Sequence, residues 1–182
     1  MKSIAAMAEN RGMGNDGLLP WKTIKPDFQF FKEFTVGKVL VVGNKTFDTL
    51  PPLRNRNLVI LSNNSDSYED TYDPIYNSGY CYRSFADILE VNSCQKELIC
   101  IGGAKTYELF LPYITEFYVT HVNGEYEADT FMPPFEHLFN KKEIIRAFND
   151  KGTVLYLGIF STEIDPESLK DFDGHRIIKY SK

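Results

Sequence analysis

The sequence predicts an α/β fold. It reads as a single domain over residues 1–182, with a mostly parallel, twisted central sheet, helices on both faces and an antiparallel C-terminal edge. Three observations carry this. Short apolar runs that read as strands buried on both faces recur early: Val39-Leu40-Val41-Val42, Leu58-Val59-Ile60-Leu61 and Leu98-Ile99-Cys100-Ile101. Helical segments separate them, and right-handed crossovers between such strands build a parallel sheet. Late in the chain, Glu143–Phe148, Val154–Phe160 and Arg176–Tyr180 look like strands with no long helix between them, which predicts antiparallel pairing.

In chain order, a short apolar strand runs from Ser3 to Ala8 and enters a glycine-studded loop, Arg11 to Leu19. A helix follows over Pro26–Phe34, with Pro26 suited to a first turn. After the Lys38–Gly43 strand, a short helix from Lys45 to Leu50 stops at Pro51-Pro52. Residues 63–76 are acidic and turn-rich and read as a solvated loop. Tyr80–Tyr82 is a brief strand. Ser84 caps a helix from Phe85 to Val91, with Asp87 at the capping-box position. The strand ending at Ile101 closes on Gly102-Gly103, and a helix runs from Ala104 to Leu111 before Pro112. Phe117–Val122 begins the C-terminal strands.

Composition narrows the function classes. A net charge of -5 excludes a general nucleic-acid binder, so an anionic ligand has to be held by a local cluster of donors. Cys81, Cys94 and Cys100 are odd in number and form no CxxC pair, which points to a reducing compartment. His121, His137 and His175 lie far apart, and no metal is expected. The Ile4–Ala8 run is too short for a signal segment, and no run is long enough to span a membrane; the expectation is a cytoplasmic protein.

The chemistry concentrates around Leu19-Pro20-Trp21 and Asp27, six residues after the tryptophan. On the predicted helix Asp27 shares a face with Phe30, Phe31 and Phe34. Burial among aromatic rings favours the neutral acid unless a cationic or hydrogen-bonding ligand meets it. An Asp in a first helical turn is more commonly a cap, so the neighbouring motifs decide its role. Glycines precede two helix starts: Gly43 with Asn44-Lys45-Thr46, and Gly102-Gly103 with Ala104-Lys105-Thr106-Tyr107. Helix starts of this kind offer backbone N–H groups to phosphate, and Lys45 and Lys105 add charge. Each is also compatible with a plain strand-to-helix turn, and neither matches GxGxxG or a P-loop.

Taken together, Ala5-Ala6-Met7-Ala8, Gly14, Leu19-Pro20-Trp21, Asp27 with Phe31, Gly43-Asn44-Lys45-Thr46-Phe47, Arg56-Asn57 with Val59–Ser62, Ile101-Gly102-Gly103 with Tyr107, Tyr118–His121 and Asp129-Thr130-Phe131 resemble dihydrofolate reductase. The resemblance covers about residues 3–135 in order. It implies NADPH-dependent reduction of 7,8-dihydrofolate to tetrahydrofolate, with hydride delivered to pterin C6 and a proton to N5. Asp27 would pair with the pterin 2-amino group and N3, Trp21 would hold a water, and Thr120 would orient Asp27. Ile4, Ala5 and Ala6 would line the pterin slot, and Ile101 would bind both substrate and cofactor. Phe31 and Leu50 would sandwich the p-aminobenzoyl ring, Phe28 and Leu53 would also bind the substrate, and Arg56 would clamp the glutamate α-carboxylate. Gly14, Gly17, Leu18 and Leu19 would form a loop closing over the nicotinamide, beside Ala6 and Tyr107. Gly43, Asn44, Lys45, Thr46, Leu61, Ser62, Asn63, Gly102, Gly103, Ala104, Lys105 and Thr106 would hold the rest of NADPH. Gly102-Gly103 resembles a family site with a cis peptide.

Asn44 and Asn63 depart from residues the family often uses around the 2′-phosphate, and the segment Asn149–Gly174 is longer than in compact relatives. The resemblance implies a monomer or homodimer. A reductase of the same architecture acting on a pyrimidine is the rival reading, and the spacing from Pro20-Trp21 to Asp27 argues against it. A non-catalytic pterin-binding protein is a second rival, but no catalytic group is visibly lost.

Overall fold

The computed structural model describes residues 1–63, 71–74, 78–93, 97–149, 151–157 and 173–182. Its elements in chain order are β1 (Lys2–Ala8), β2 (Gly12–Gly14), α1 (Lys25–Thr35), β3 (Val39–Gly43), α2 (Asn44–Phe47), β4 (Asn57–Leu61), β5 (Thr71–Asp73), β6 (Ser78–Arg83), α3 (Phe85–Ser93), β7 (Leu98–Cys100), α4 (Ala104–Phe110), β8 (Glu116–Val122), β9 (Thr130–Phe131), β10 (Lys141–Phe148), β11 (Val154–Leu157) and β12 (His175–Ser181). The chain divides into two compact units, Met1–Ile4 with Lys32–Ile114, and Ala5–Phe31 with Thr115–Lys182.

In the first unit the strand order is β1-β7-β3-β4-β6-β5. All of these pairings are parallel except β5 with β6. Leu40, Val41, Val42, Leu98, Ile99 and Cys100 are fully buried, as continuous apolar runs in parallel strands require. At the strand starts, Lys2 and Lys38 both grip Glu97, at 2.6 and 2.8 Å. The capping box forms as read: Ser84 N–H donates to Asp87 Oδ2 at 3.1 Å, and Asp87 N–H to Ser84 Oγ at 3.3 Å.

In the second unit the order is β11-β10-β12-β8, followed by β1. β10 pairs antiparallel with β11 and β12, and β12 with β8, as the missing helices predicted. Phe117, Val119, Thr120 and Val122 of β8 are buried. An aromatic cluster forms the core, with Phe117 and Phe135 rings 4.8 Å apart and Phe135 edge-on to Tyr180 at 5.0 Å. Phe30 of α1 is buried under the Arg146 guanidinium, 4.9 Å from its ring.

Three details differ from the sequence expectation. Within the segment read as a loop, β5 pairs as an antiparallel edge strand, Thr71 opposite Tyr80 and Asp73 opposite Ser78. Its side chains are exposed or half-buried, so no buried apolar run announced it. The helix expected to reach Leu50 ends at Phe47, because Thr49 and Leu50 turn back to Thr46 and Phe47 in tighter bonds before Pro51. The glycine loop contains β2, which pairs with β9; glycines carry no strand signature, and only the ladder makes them a strand. Of the expected 154–160 strand, 158–160 lie outside the described residues, as does most of the extended segment.

Candidate active site

Asp27 lies in the first turn of α1, and its Oδ1 accepts a 2.6 Å hydrogen bond from Thr120 Oγ1. Thr120 is buried on β8. Burial drives the Asp27 carboxyl up to about 6, and the Thr120 bond only partly offsets this. Strand alternation puts Thr120 and Val122 on one face of β8. Trp21 packs there in a cluster with Val122 and Ala8, with Ala6, Ile24 and Tyr126 against it. The indole is buried, yet its Nε1–H has no acceptor among the described residues. A buried donor and a carboxyl raised by burial, supported by one strand face, form a site built to meet polar ligand atoms or water. Ala5 and Ala6 of β1 and Phe31 are half-buried, and Phe28 is exposed.

The glycine loop of the same unit is an organised hairpin. Asn15 and Leu18 exchange backbone bonds of 2.9 and 3.0 Å, with positive φ at Asp16 and Gly17. This is the backbone that a two-residue Asp-Gly turn adopts. Gly14 leads into the turn, and Leu18 and Leu19 stand exposed beyond it. Asp129 fastens the turn: its Oδ2 accepts the Asp16 N–H at 2.9 Å, and its own N–H donates to Gly14 O at 3.0 Å. Arg11 holds the base, donating to Met132 O, Pro133 O and Glu136.

In the first unit, the carboxyl ends of β3 and β7 run into α2 and α4 through glycines. Gly43 N–H donates to Gly102 O at 2.7 Å, and the Gly102–Gly103 peptide is cis, as the resemblance implied. The packing leaves no room for side chains. A Cβ on Gly43 would run into Thr106 Oγ1, and one on Gly103 would lie 2.8 Å from Thr46 Oγ1. Tyr107 is buried and donates to Ile4 O at 2.7 Å, which fixes it against the buried Ile101 turn. No side chain caps the start of either α2 or α4. Lys45 and Lys105 are exposed next to those starts, with Ala104 and Thr106 beneath.

Beyond them a groove of about 450 Å³ is lined by Leu61, Asn63, Lys105, Thr106, Glu108 and Leu109. Open backbone N–H groups, close glycine approach and peripheral lysines fit a dinucleotide phosphate. Ser62 follows β4 and is half-buried, while Asn44 and Asn63 are exposed. Leu50 and Leu53 are half-buried. Arg56 is buried, donating from Nε to Thr35 Oγ1 at 2.9 Å, from Nη1 to Arg54 O at 2.9 Å and from Nη2 to Lys32 O at 3.4 Å.

Some contributors were missed in the sequence. Glu108 and Leu109 join the groove because they sit three and four residues beyond Lys105 on α4, a spacing that could have shown it. Arg11 acts through carbonyls of residues 132 and 133, and local pattern carries no signal for that. Tyr126 meets Trp21 from a turn with no regular element.

The family model described as dihydrofolate reductase matches residues 1–155. The dihydrofolate reductase of Bacillus subtilis is 33% identical over 134 residues, covering 73% of this chain and 75% of the relative. That of Neisseria meningitidis serogroup A is 31% identical over 160 residues, covering 82% and 90%. Among solved structures, dihydrofolate reductase from Enterococcus faecalis complexed with NADP(H) and RAB-propyl has a TM-score of 0.70 and 25% identity, covering 99% of this chain and 94% of that one. The chain belongs to the dihydrofolate reductase family, as an enzyme with NADPH as its cofactor.

Proposed function

We propose that the chain reduces 7,8-dihydrofolate to 5,6,7,8-tetrahydrofolate, and that Asp27, Thr120 and Trp21 manage the proton. The observation that carries this is a carboxyl held at about 6 by burial, bonded to Thr120 and supported by the same strand face as a buried indole donor. Near neutrality such an acid passes between charged and neutral forms, which suits it to the guanidine-like edge of a pterin. Asp27 pairs with N3 and the 2-amino group and favours the protonated substrate electrostatically. The Trp21 N–H orients a water, and a water carries the proton to N5. Thr120 keeps the carboxylate aimed.

NADPH supplies the hydride when bound. Gly43, Asn44, Lys45, Thr46, Gly102, Gly103, Ala104, Lys105 and Thr106, together with Leu61, Ser62, Asn63, Ile101 and Tyr107, would hold the cofactor. Gly14, Gly17, Leu18, Leu19 and Ala6 shield the reacting ring from water. Ile4, Ala5, Phe28, Phe31, Leu50 and Leu53 take the apolar parts of the substrate. Arg56, already fixed by three acceptors, presents its fork to the glutamate α-carboxylate. The enzyme acts in the cytoplasm as one functional domain, as monomer or homodimer. It supplies tetrahydrofolate for one-carbon metabolism and thymidylate synthesis.

The assay is methotrexate-sensitive oxidation of NADPH by dihydrofolate. Asp27→Asn should keep the fold and slow hydride transfer by roughly a hundredfold at neutral pH, with partial recovery in acid. Normal turnover of that variant at pH 7 removes the role given to Asp27.

A further inference from the structure

We propose that Tyr126 is a positioning residue for the proton side of the reaction, its ring setting the orientation of the Trp21 indole. This rests on the reading of Asp27 and Trp21 given above. No acceptor among the described residues meets the indole N–H, and the ring is packed within an apolar cluster. Tyr126 lies edge-on to it, with ring centroids 5.8 Å apart at 67°. The other contacts in the cluster are Ala8, Val122, Ala6 and Ile24, which are aliphatic and resist rotation of a flat ring less.

Tyr126 is itself held. Its carbonyl accepts from Asn10 Nδ2 at 2.7 Å, and Asn10 Oδ1 accepts the Gly12 N–H at 3.2 Å, at the root of the glycine hairpin. Glu9 N–H donates to Gly124 O at 3.1 Å, tying the same two turns a second time. Thus β8 and the turn after it place three groups in succession: Thr120 on Asp27, Val122 under Trp21, and Tyr126 at the edge of Trp21. A turn displaced at Tyr126 rotates the indole donor and leaves the Asp27–Thr120 bond intact. The contact is made ring to ring, so phenylalanine should serve as well.

The test uses the chain's one tryptophan as its reporter. Tyr126→Leu should slow hydride transfer roughly three- to tenfold at alkaline pH, with recovery in acid and an unchanged Michaelis constant for dihydrofolate. The tryptophan emission should shift in the same variant, and Tyr126→Phe should restore both readouts. A leucine variant with the parent pH profile overturns the proposal, even if its emission shifts. If that variant does not fold, Asn10→Ala, which frees the Tyr126 carbonyl, should move the pH profile in the same direction, and an unmoved profile is fatal. Asp27→Asn, measured alongside, separates the two layers. Full activity of Asp27→Asn at neutral pH removes the proton reading and this inference together. Loss there with an unaltered Tyr126→Leu profile removes the inference alone.

Discussion

The two units present chemistry of opposite character. In the second unit the candidate site is a single titrating carboxyl, raised by burial and steadied by one hydroxyl. In the first unit it is mostly backbone: glycines that tolerate no Cβ, threonine hydroxyls pressed against them, and lysines outside. The first arrangement sets a proton equilibrium and the second sets a shape. Damage to the carboxyl should therefore appear in pH profiles, and damage to the glycines in the Michaelis constant for NADPH. A variant that moved both would break the distinction.

The largest expected effect concerns stability. The folded-state carboxyl of Asp27 titrates near 6 against 3.8 for the ordinary group. The native state thus binds this proton more tightly than the unfolded chain. Burial costs nothing extra below about pH 4, the cost grows as pH rises between the two values, and it is complete above about 6, at roughly 2–3 kcal/mol. Asp27→Asn removes an ion and keeps an acceptor for Thr120. It should raise the melting temperature by several degrees at pH 7.5 and leave it nearly unchanged at pH 4, while activity falls. Equal shifts at both pH values would show that desolvation does not raise the Asp27 carboxyl.

Next in size is the cofactor side. Gly43→Ala drives a methyl into Thr106 Oγ1 and should raise the Michaelis constant for NADPH about tenfold, with the pH profile of hydride transfer unchanged. Adding Thr106→Ala relieves the collision and should recover thermal stability but not cofactor affinity. Full recovery of both would mean that the glycine serves packing only. A smaller effect is expected at the hairpin. Asp129→Ala removes the acceptor of the Asp16 N–H and should raise the same Michaelis constant roughly threefold, again without a pH shift.

The legible parts of this chain were those with strong local pattern. The apolar runs at β3 and β7 gave parallel strands because burial on both faces leaves a continuous run, and the Ser84–Asp87 capping box could be read from its spacing. Strand β4 buries only Leu58 and Ile60, with Val59 and Leu61 half-buried. Asp27 stood out because a charge on an aromatic helix face is costly. What stayed hidden depends on distant partners. β2 is a strand only because Phe131 and Thr130 lie opposite its glycines, and β5 has no buried face. Tyr126 shows nothing in its own neighbourhood of sequence; its meaning lies in the indole it meets. The carboxyl's raised titration likewise follows from packing that no spacing rule reports.

The smallest effect sharpens the comparison from the first unit's own charges. Glu97 is pushed down to about 2, chiefly by hydrogen bonds from Lys2 and Lys38. These residues stand at the starts of β1, β3 and β7, at the opposite strand ends from the glycines. The sign is the reverse of Asp27. A depressed folded-state value contributes stability that is fully present above about 4.5 and is lost as pH falls toward 2. All three side chains are partly exposed, so solvent screening holds the contribution below about 1 kcal/mol. Glu97→Gln should lower stability slightly above about pH 4.5, seen as a melting temperature one or two degrees lower at pH 5 with a gap that closes toward pH 2. The Michaelis constant for NADPH and the pH profile of hydride transfer should both stay as they are. A changed profile in Glu97→Gln would show that titration in the first unit reaches the chemistry, and the division between a proton equilibrium in one unit and a shape in the other would not hold.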